Sequence, residues 1–310
     1  MIEILYLLLA IICSTAIALI FKYSEDNQLN RYLVTSANYL TATLISLIMI
    51  VTMKAELLAQ LKFKQLDFSS QFLKVVRQGR GQFSATASFL WAVIVGTIAG
   101  FFFFLGFIYY QKSVNQNNTG LTGAFAKLGI LVPMSASIVL WQELPTPVQW
   151  IGIILSLAAI IVTNFSWQEF DFSELRLSLL LLFLFGGLAE FSNKVFQKYA
   201  VDHYKAVFLF CVFFTAFIIS SYFTIRSKTK LELKEIMTGI SVGIPNLFSS
   251  FFLIRALKTV KTAVAFPIYS ALTIVLISIA SLVLFKEELK KKDTTAIAMT
   301  VLALVLINLK

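Results

Sequence analysis

The sequence predicts an all-α polytopic membrane protein of ten transmembrane helices, arranged as two inverted five-helix repeats around a central cavity. Three observations predict it. Of 310 residues, 58% are hydrophobic and 14% charged, where a soluble domain has about 45–50% and ~25%. The apolar residues gather in continuous stretches long enough to cross a hydrocarbon core, which takes ~20 helical residues. Stretches in the first part of the chain also recur in the second.

Taken in order, the spans are 3–21, 32–53, 87–110, 122–141 and 148–165, then 177–199, 206–222, 236–257, 263–285 and 294–309. Lipid gives backbone N–H and C=O groups no partner, so spans are helices or closed barrels. Runs such as 101–104 and 179–182 do not alternate, which excludes a barrel. The first span has no basic n-region, Glu3 being its only early charge, and no small-residue cleavage site follows. It therefore reads as a retained span and not a signal peptide. Cys13 and Cys211 both fall inside spans, as small apolar residues without a disulfide.

The net charge of +10 is scattered through short loops, where it sets topology and anchors at lipid headgroups. No soluble domain presents a basic face, so nucleic acid is excluded as a partner. Lys and Arg divide evenly between the two sides, and topology rests on the loop 54–86. That loop carries Lys54, Lys62, Lys64, Lys74, Arg77 and Arg80 against Glu56 and Asp67, which favours cytoplasmic termini. Its Leu57, Leu58, Leu61, Phe72, Leu73 and Val76 fall roughly at helical spacing, so part of it is expected along the membrane surface.

The repeat is read from the fourth and fifth spans, which overlay the ninth and tenth at a constant offset of 144 residues, Glu143 meeting Glu287 and Asn164 meeting Asn308. A weaker echo joins Phe21-Lys22-Tyr23 to Gln197-Lys198-Tyr199. Residues 1–168 form the first repeat and 169–310 the second. Five spans is an odd number, so the second copy is inverted, an architecture of secondary transporters whose site lies between the halves near the midplane.

Glu143 and Glu287, each closing the fourth span of its repeat before a short turn, resemble the repeat signature of the EamA-type transporters of the drug/metabolite transporter superfamily. Residues 109–118 and Arg255-Ala256-Leu257-Lys258 resemble that family's link between its third and fourth helices. Cys13-Ser14-Thr15 stands where many members have Trp-Gly, and the loop 54–86 is longer than theirs. The resemblance implies ten helices, cytoplasmic termini and alternating access, with helices five and ten outside the cavity. It does not choose a substrate, since members move amino acids, nucleotide sugars, sugar phosphates, choline-like cations and other metabolites. The expected function is a secondary active or facilitative exporter of a small polar or amphipathic metabolite such as an amino acid, coupled to protons or run as facilitated flow. The bacterial cytoplasmic (inner) membrane is the expected location. A carrier or flippase of a lipid-linked, phosphorylated or nucleotide-linked metabolite is the alternative.

A charge at the bilayer centre costs roughly 2.5–3.5 kcal/mol, so Lys127, Glu190 and Lys194 each need a reason. In the sixth span Gly186, Gly187, Glu190, Asn193, Lys194 and Gln197 share one helical face. Glu190 and Lys194 stand i, i+4 in the order that pairs them. The pair either fixes helix packing, or Glu190 is a proton or substrate-cation site tuned by Lys194. Lys127 either snorkels to the interface or faces the cavity, where it suits an anionic group or partners Glu190. Polar faces recur with Asn246 and Ser250 (beside Gly239 and Gly243), with Tyr269, Ser270 and Thr273, with Asn38 and Thr41, and with Ser14. Each alone reads as packing; together they imply a shared aqueous cavity. The candidate site is Glu190, Asn193 and Lys194 facing Lys127 and Asn246, surrounded by the others.

Pro133, Pro245 and Pro267 are expected to kink their helices. The run 101–104 is expected against lipid and neighbouring helices. The single His203 sits in a loop, so neither a His-based metal site nor a triad can be assembled. No phosphate loop is present, no cofactor is expected, and an enzyme is the least favoured class.

Overall fold

The computed structural model describes residues 2–52, 61–63, 67–79, 81–116, 119–164, 177–227, 232–284 and 291–308. Among these there is no strand. The helices are α1 (Ile2–Asp26), α2 (Arg31–Val51), α3 (Phe68–Phe72), α4 (Ala85–Gln116), α5 (Thr119–Leu128), α6 (Leu131–Trp141) and α7 (Pro147–Asn164). They are followed by α8 (Leu177–Tyr199), α9 (Lys205–Arg226), α10 (Leu233–Ala256), α11 (Thr262–Leu284) and α12 (Lys291–Asn308). Seven of them, α1, α2, α4 and α8 to α11, contain spans long and apolar enough to cross a membrane. The chain is a polytopic integral membrane protein. Shorter apolar stretches occupy 125–141, 147–162 and 294–307.

The stretch 125–141 is interrupted at Gly129 and Ile130. Pro133 has no N–H to offer the carbonyl four residues back, and that carbonyl belongs to Gly129; it accepts instead from Val132 at 3.0 Å. Pro245 and Pro267, by contrast, sit inside α10 and α11 without breaking either helix.

Side-by-side contacts link the helices in a closed series: α1 with α10, α10 with α2, α2 with α9, α9 with α4, and α4 with α8. The series returns from α8 through α5 and α6 to α11, and from α11 to α1. α7 and α12 pack on each other and meet the series at α5 and α11. Glycines make the closest crossings. A Cβ on Gly96 would stand 2.7 Å from the carbonyl oxygen of Phe208, and one on Gly100 2.6 Å from that of Val212. Gly239 and Gly243 meet the carbonyl oxygens of Val34 and Asn38 at 2.5 and 2.6 Å. Close backbone approach at small residues is how helices associate in lipid, where apolar side chains gain nothing by leaving it.

The loop after α2 folds back on this body. Phe83 stacks at 5.7 Å on Phe68 and lies 5.2 Å from the Trp91 ring. Its backbone N–H donates to the Tyr199 carbonyl at 3.0 Å. Leu61, Phe68 and Val76 pack onto the core, while Phe63, Phe72 and Leu73 stay exposed. The cover over Trp91 and Tyr199 is aromatic as well as basic. Lys54, Glu56, Leu57, Leu58, Lys64 and Arg80 lie outside the described residues.

Gly100→Ala and Gly243→Ala are expected to cost about 1–3 kcal/mol by overpacking, despite alanine's better helix propensity. Thermal unfolding in detergent should show both variants melting below the parent. Equal or higher melting points would mean these crossings are looser than they are drawn here.

Candidate functional site

A cavity of about 610 Å³ lies among α1, α2, α4, α5 and α8. It runs from the middle of these helices to the end where α1 turns into α2. Its wall is aromatic, from Phe21, Phe102, Phe103, Phe107 and Tyr110. Lys22, Glu25 and Arg31 stand at the α1–α2 end, with Arg31 ion-paired to Glu25. Ser14, Lys127, Gly186 and Glu190 form the inner part.

Lys127 and Glu190 face the cavity from different helices and interact through their charges. Asn193 donates to Glu190 at 3.3 Å. The snorkelling alternative for Lys127 is not what the structure shows. Of the predicted site residues, Ser14, Lys127 and Glu190 line the cavity directly. Tyr269 is buried one contact away, bonded to Ser14 and, at 3.0 Å, to Ser249.

The remaining residues serve elsewhere. Asn246 donates to Asn38 at 3.0 Å, tying α10 to α2. Thr41 and Thr273 bond back to Ala37 and Tyr269 within their own helices, at 2.8 and 2.6 Å. Ser270 reaches the Lys127 carbonyl at 3.5 Å, and Ser250 is buried in α10. Asn246, half-buried, is not among the residues lining the cavity and pairs instead with the buried Asn38.

Lys194 makes no ion pair with Glu190. Its ammonium lies 3.0 Å from Glu143, beyond the end of α6, and 3.4 Å from the Leu257 carbonyl. It also stands 5.6 Å from the centre of the Trp141 ring. The other oxygen of Glu143 accepts the Thr262 N–H at 2.7 Å. Trp141 donates its indole N–H to the Tyr199 hydroxyl at 2.8 Å. Lys194 is only 4% exposed, so these contacts close the ends of α6, α8 and α10 and the start of α11 around a buried charge. This closed end is the one away from the cavity mouth. Glu287 lies outside the described residues.

Sequence reasoning missed the mouth residues and the aromatic wall. The run expected against lipid divides: Phe101 is exposed, Phe102 and Phe103 line the cavity, and Phe104 is buried, stacking at 5.3 Å on Phe223. Four consecutive helical residues point in four directions, which an apolar run conceals.

Residues 177–309 match the model of the EamA-like transporter family. No curated protein matches the sequence. Chains of solved structures do match, 26 in all. One crystal structure, 14% identical, superposes with a TM-score of 0.69 over 99% of this chain and 96% of its own. At that identity the likeness is one of fold.

Burial pushes the Glu143 carboxyl up, but the Lys194 ammonium and the Thr262 N–H more than offset this and hold it below the ordinary carboxylate range. A carboxyl depressed in the folded state adds stability above its unfolded pKa, roughly 4.3, and loses it as pH falls through the folded value. Glu143→Gln strands a buried ammonium and is expected to destabilise by up to about 3–5 kcal/mol at pH 7. The gap in melting temperature from the parent should narrow once pH falls below the unfolded carboxyl's roughly 4.3 and goes on towards the depressed folded value, where the parent's own carboxylate protonates. A gap constant from pH 7 to that range would sever the ion pair from stability.

Proposed function

Residues 177–309 belong to the EamA-like transporter family, and from that premise we propose that the chain is a secondary transporter moving a small zwitterionic or amphipathic metabolite, such as an amino acid, by alternating access. The observation that carries the reading is the contrast between the two ends. One side holds a cavity ending on a carboxylate and an ammonium; the other is shut by contacts around Lys194.

Opposite charges on different helices at the inner end of an aromatic cavity suit a zwitterion with an apolar body. Glu190 takes the ammonium, Lys127 the carboxylate, and the phenylalanines the remainder. Placing both charges in one site leaves it neutral overall and spares the desolvation cost of a lone buried ion.

The chain is proposed to consist of two inverted five-helix repeats, 1–168 and 169–310, crossing the membrane ten times with α5 and α6 sharing one crossing. The packing supports this. Gly96 and Gly100 of α4 against α9 are matched, 143 residues later, by Gly239 and Gly243 of α10 against α2. The contact of α4 with α8 is matched by that of α10 with α1. The bacterial cytoplasmic membrane, cytoplasmic termini and export are proposed with it; the cavity then opens to the outside.

Alternating access requires the Lys194 end to open, which takes Glu143 away from the ammonium. Glu190, four residues back on the same helix, is the carboxylate then within reach of Lys194. A proton or a substrate ammonium on Glu190 competes for that role. Opening is thereby tied to the occupancy of the cavity.

Glu190→Gln removes the acceptor without changing its shape. In proteoliposomes loaded with labelled amino acids, with efflux and uptake both read across pH 5.5 to 8, the parent is expected to change rate with pH and the variant to lose that dependence. Transport by Glu190→Gln with the parent's full pH profile would remove Glu190 from coupling.

A further inference from the structure

Most of the described helical glycines sit where another helix leaves no room for a side chain. Gly96, Gly100, Gly152, Gly187, Gly239 and Gly243 would each bring a Cβ within 3.0 Å of another helix, so each has a packing reason to lack a side chain. Gly186 has none. A Cβ there would meet nothing within 4 Å, and the residue borders the cavity. A glycine inside a helix is less favourable than alanine, so an empty space beside one points to a function outside packing.

Its position says which. Glu190 follows one helical turn later on the same face and lines the same cavity, as do Phe102, Phe103 and Phe107 of α4. Gly106 stands opposite on α4, where a Cβ would lie 3.5 Å from the Gly186 backbone. The next residue, Gly187, is packed so tightly that a Cβ would come 2.4 Å from the Gly129 carbonyl oxygen. Two adjacent glycines thus do opposite work: Gly187 brings α8 against the α5–α6 break, and Gly186 leaves room on the cavity side.

We infer that Gly186 is the size-setting position of the cavity, its bare backbone seating the apolar body of a zwitterionic ligand whose ammonium lies one turn away at Glu190. This rests on the transport reading above. It adds a bound to that reading, because the largest body accepted is fixed by the missing side chain at this position.

Gly186→Ala and Gly186→Val should melt at or above the parent, since the added atoms enter open space. Proteoliposomes would be tested with labelled alanine, leucine, phenylalanine and tryptophan. Measured against alanine transport by the same variant, Gly186→Val should lose tryptophan by roughly tenfold or more relative to the parent, with Gly186→Ala falling between the two. An unchanged size profile in both variants, with the parent active, overturns the inference, as does a marked fall in the melting point of Gly186→Ala.

Should the parent move none of the four, the zwitterion reading fails, and the part of the inference that does not rest on it, an open space at Gly186 that bounds the size of what the cavity accepts, is decided by labelling. In a Cys13→Ala, Cys211→Ala background, Gly186→Cys is expected to react with a water-soluble methanethiosulfonate, while Ser156→Cys, buried in α7, does not. Reaction supports an open space at 186. A Gly186→Cys as inert as Ser156→Cys overturns it.

Discussion

The close crossings of α4 on α9 and of α10 on α2 are the constraint on which the rest depends. In hydrocarbon every backbone group is satisfied inside its own helix, and apolar side chains are no better off against protein than against lipid. What holds helices together is therefore dispersion at short range, and short range requires small residues. Gly96, Gly100, Gly239 and Gly243 supply it, each passing a carbonyl of the facing helix so closely that a Cβ would stand 2.7 Å from it or less. These contacts bind α2 and α9 between α10 and α4, and α1 and α8 pack outward from there. The cavity lies between α1 and α8, with α2, α4 and α5 completing its lining.

On that scaffold the chemistry is one-sided. Counting back from α8 to α1 at the offset joining Lys198 to Lys22 pairs Glu190 with Ser14 and Lys194 with Ala18. Ser14 and Glu190 line the same cavity from different helices, so related positions converge on one space while only one brings a charge. Lys194 has no charged counterpart in α1. If the chain is the two-fold scaffold proposed above, it has two equivalent ways of packing, and unequal side chains set their relative energies. Here the buried ammonium of Lys194 and its contacts favour closure at the Trp141 end.

The framework was legible in the sequence because its signal is local: apolar length marks a span wherever it packs. Glu190, Lys127 and Ser14 were legible as well, since a charge or small polar group deep in a span has few tolerable places to go. The partners were not. Glu190 and Lys194 share a face and a spacing that pairs them on an isolated helix, yet Lys194 found Glu143 on a different part of the chain. That choice depends on where α6 ends relative to α8, and no periodicity reports it. Asn246 went to Asn38 for the same reason. The aromatic wall was hidden differently: in an unbroken phenylalanine run, nothing separates the residue facing ligand from the one facing lipid. The break at Gly129 was foreshadowed by Pro133, yet Pro245 and Pro267 carry the same chemistry without interrupting α10 or α11.

The two acidic groups around Lys194 differ in what frees them. Glu143 is held by the Lys194 ammonium of α8 and by the Thr262 N–H of α11 at 2.7 Å, so both contacts depend on where the end of α6 lies. Glu190 is held by an amide at a looser 3.3 Å and by the charge of Lys127 across a cavity wide enough for a ligand. The first carboxylate therefore answers to helix position and the second to cavity contents. Since a buried ammonium without a carboxylate is costly, Lys194 cannot leave Glu143 cheaply unless Glu190 is available to receive it. In the alternating access proposed above, Lys194 and Glu190, four residues apart on α8, make the energy of opening one end depend on what occupies the other. Neither group alone would serve that proposed coupling, which needs a helix that carries both charges and packs between α4 and the α5–α6 pair.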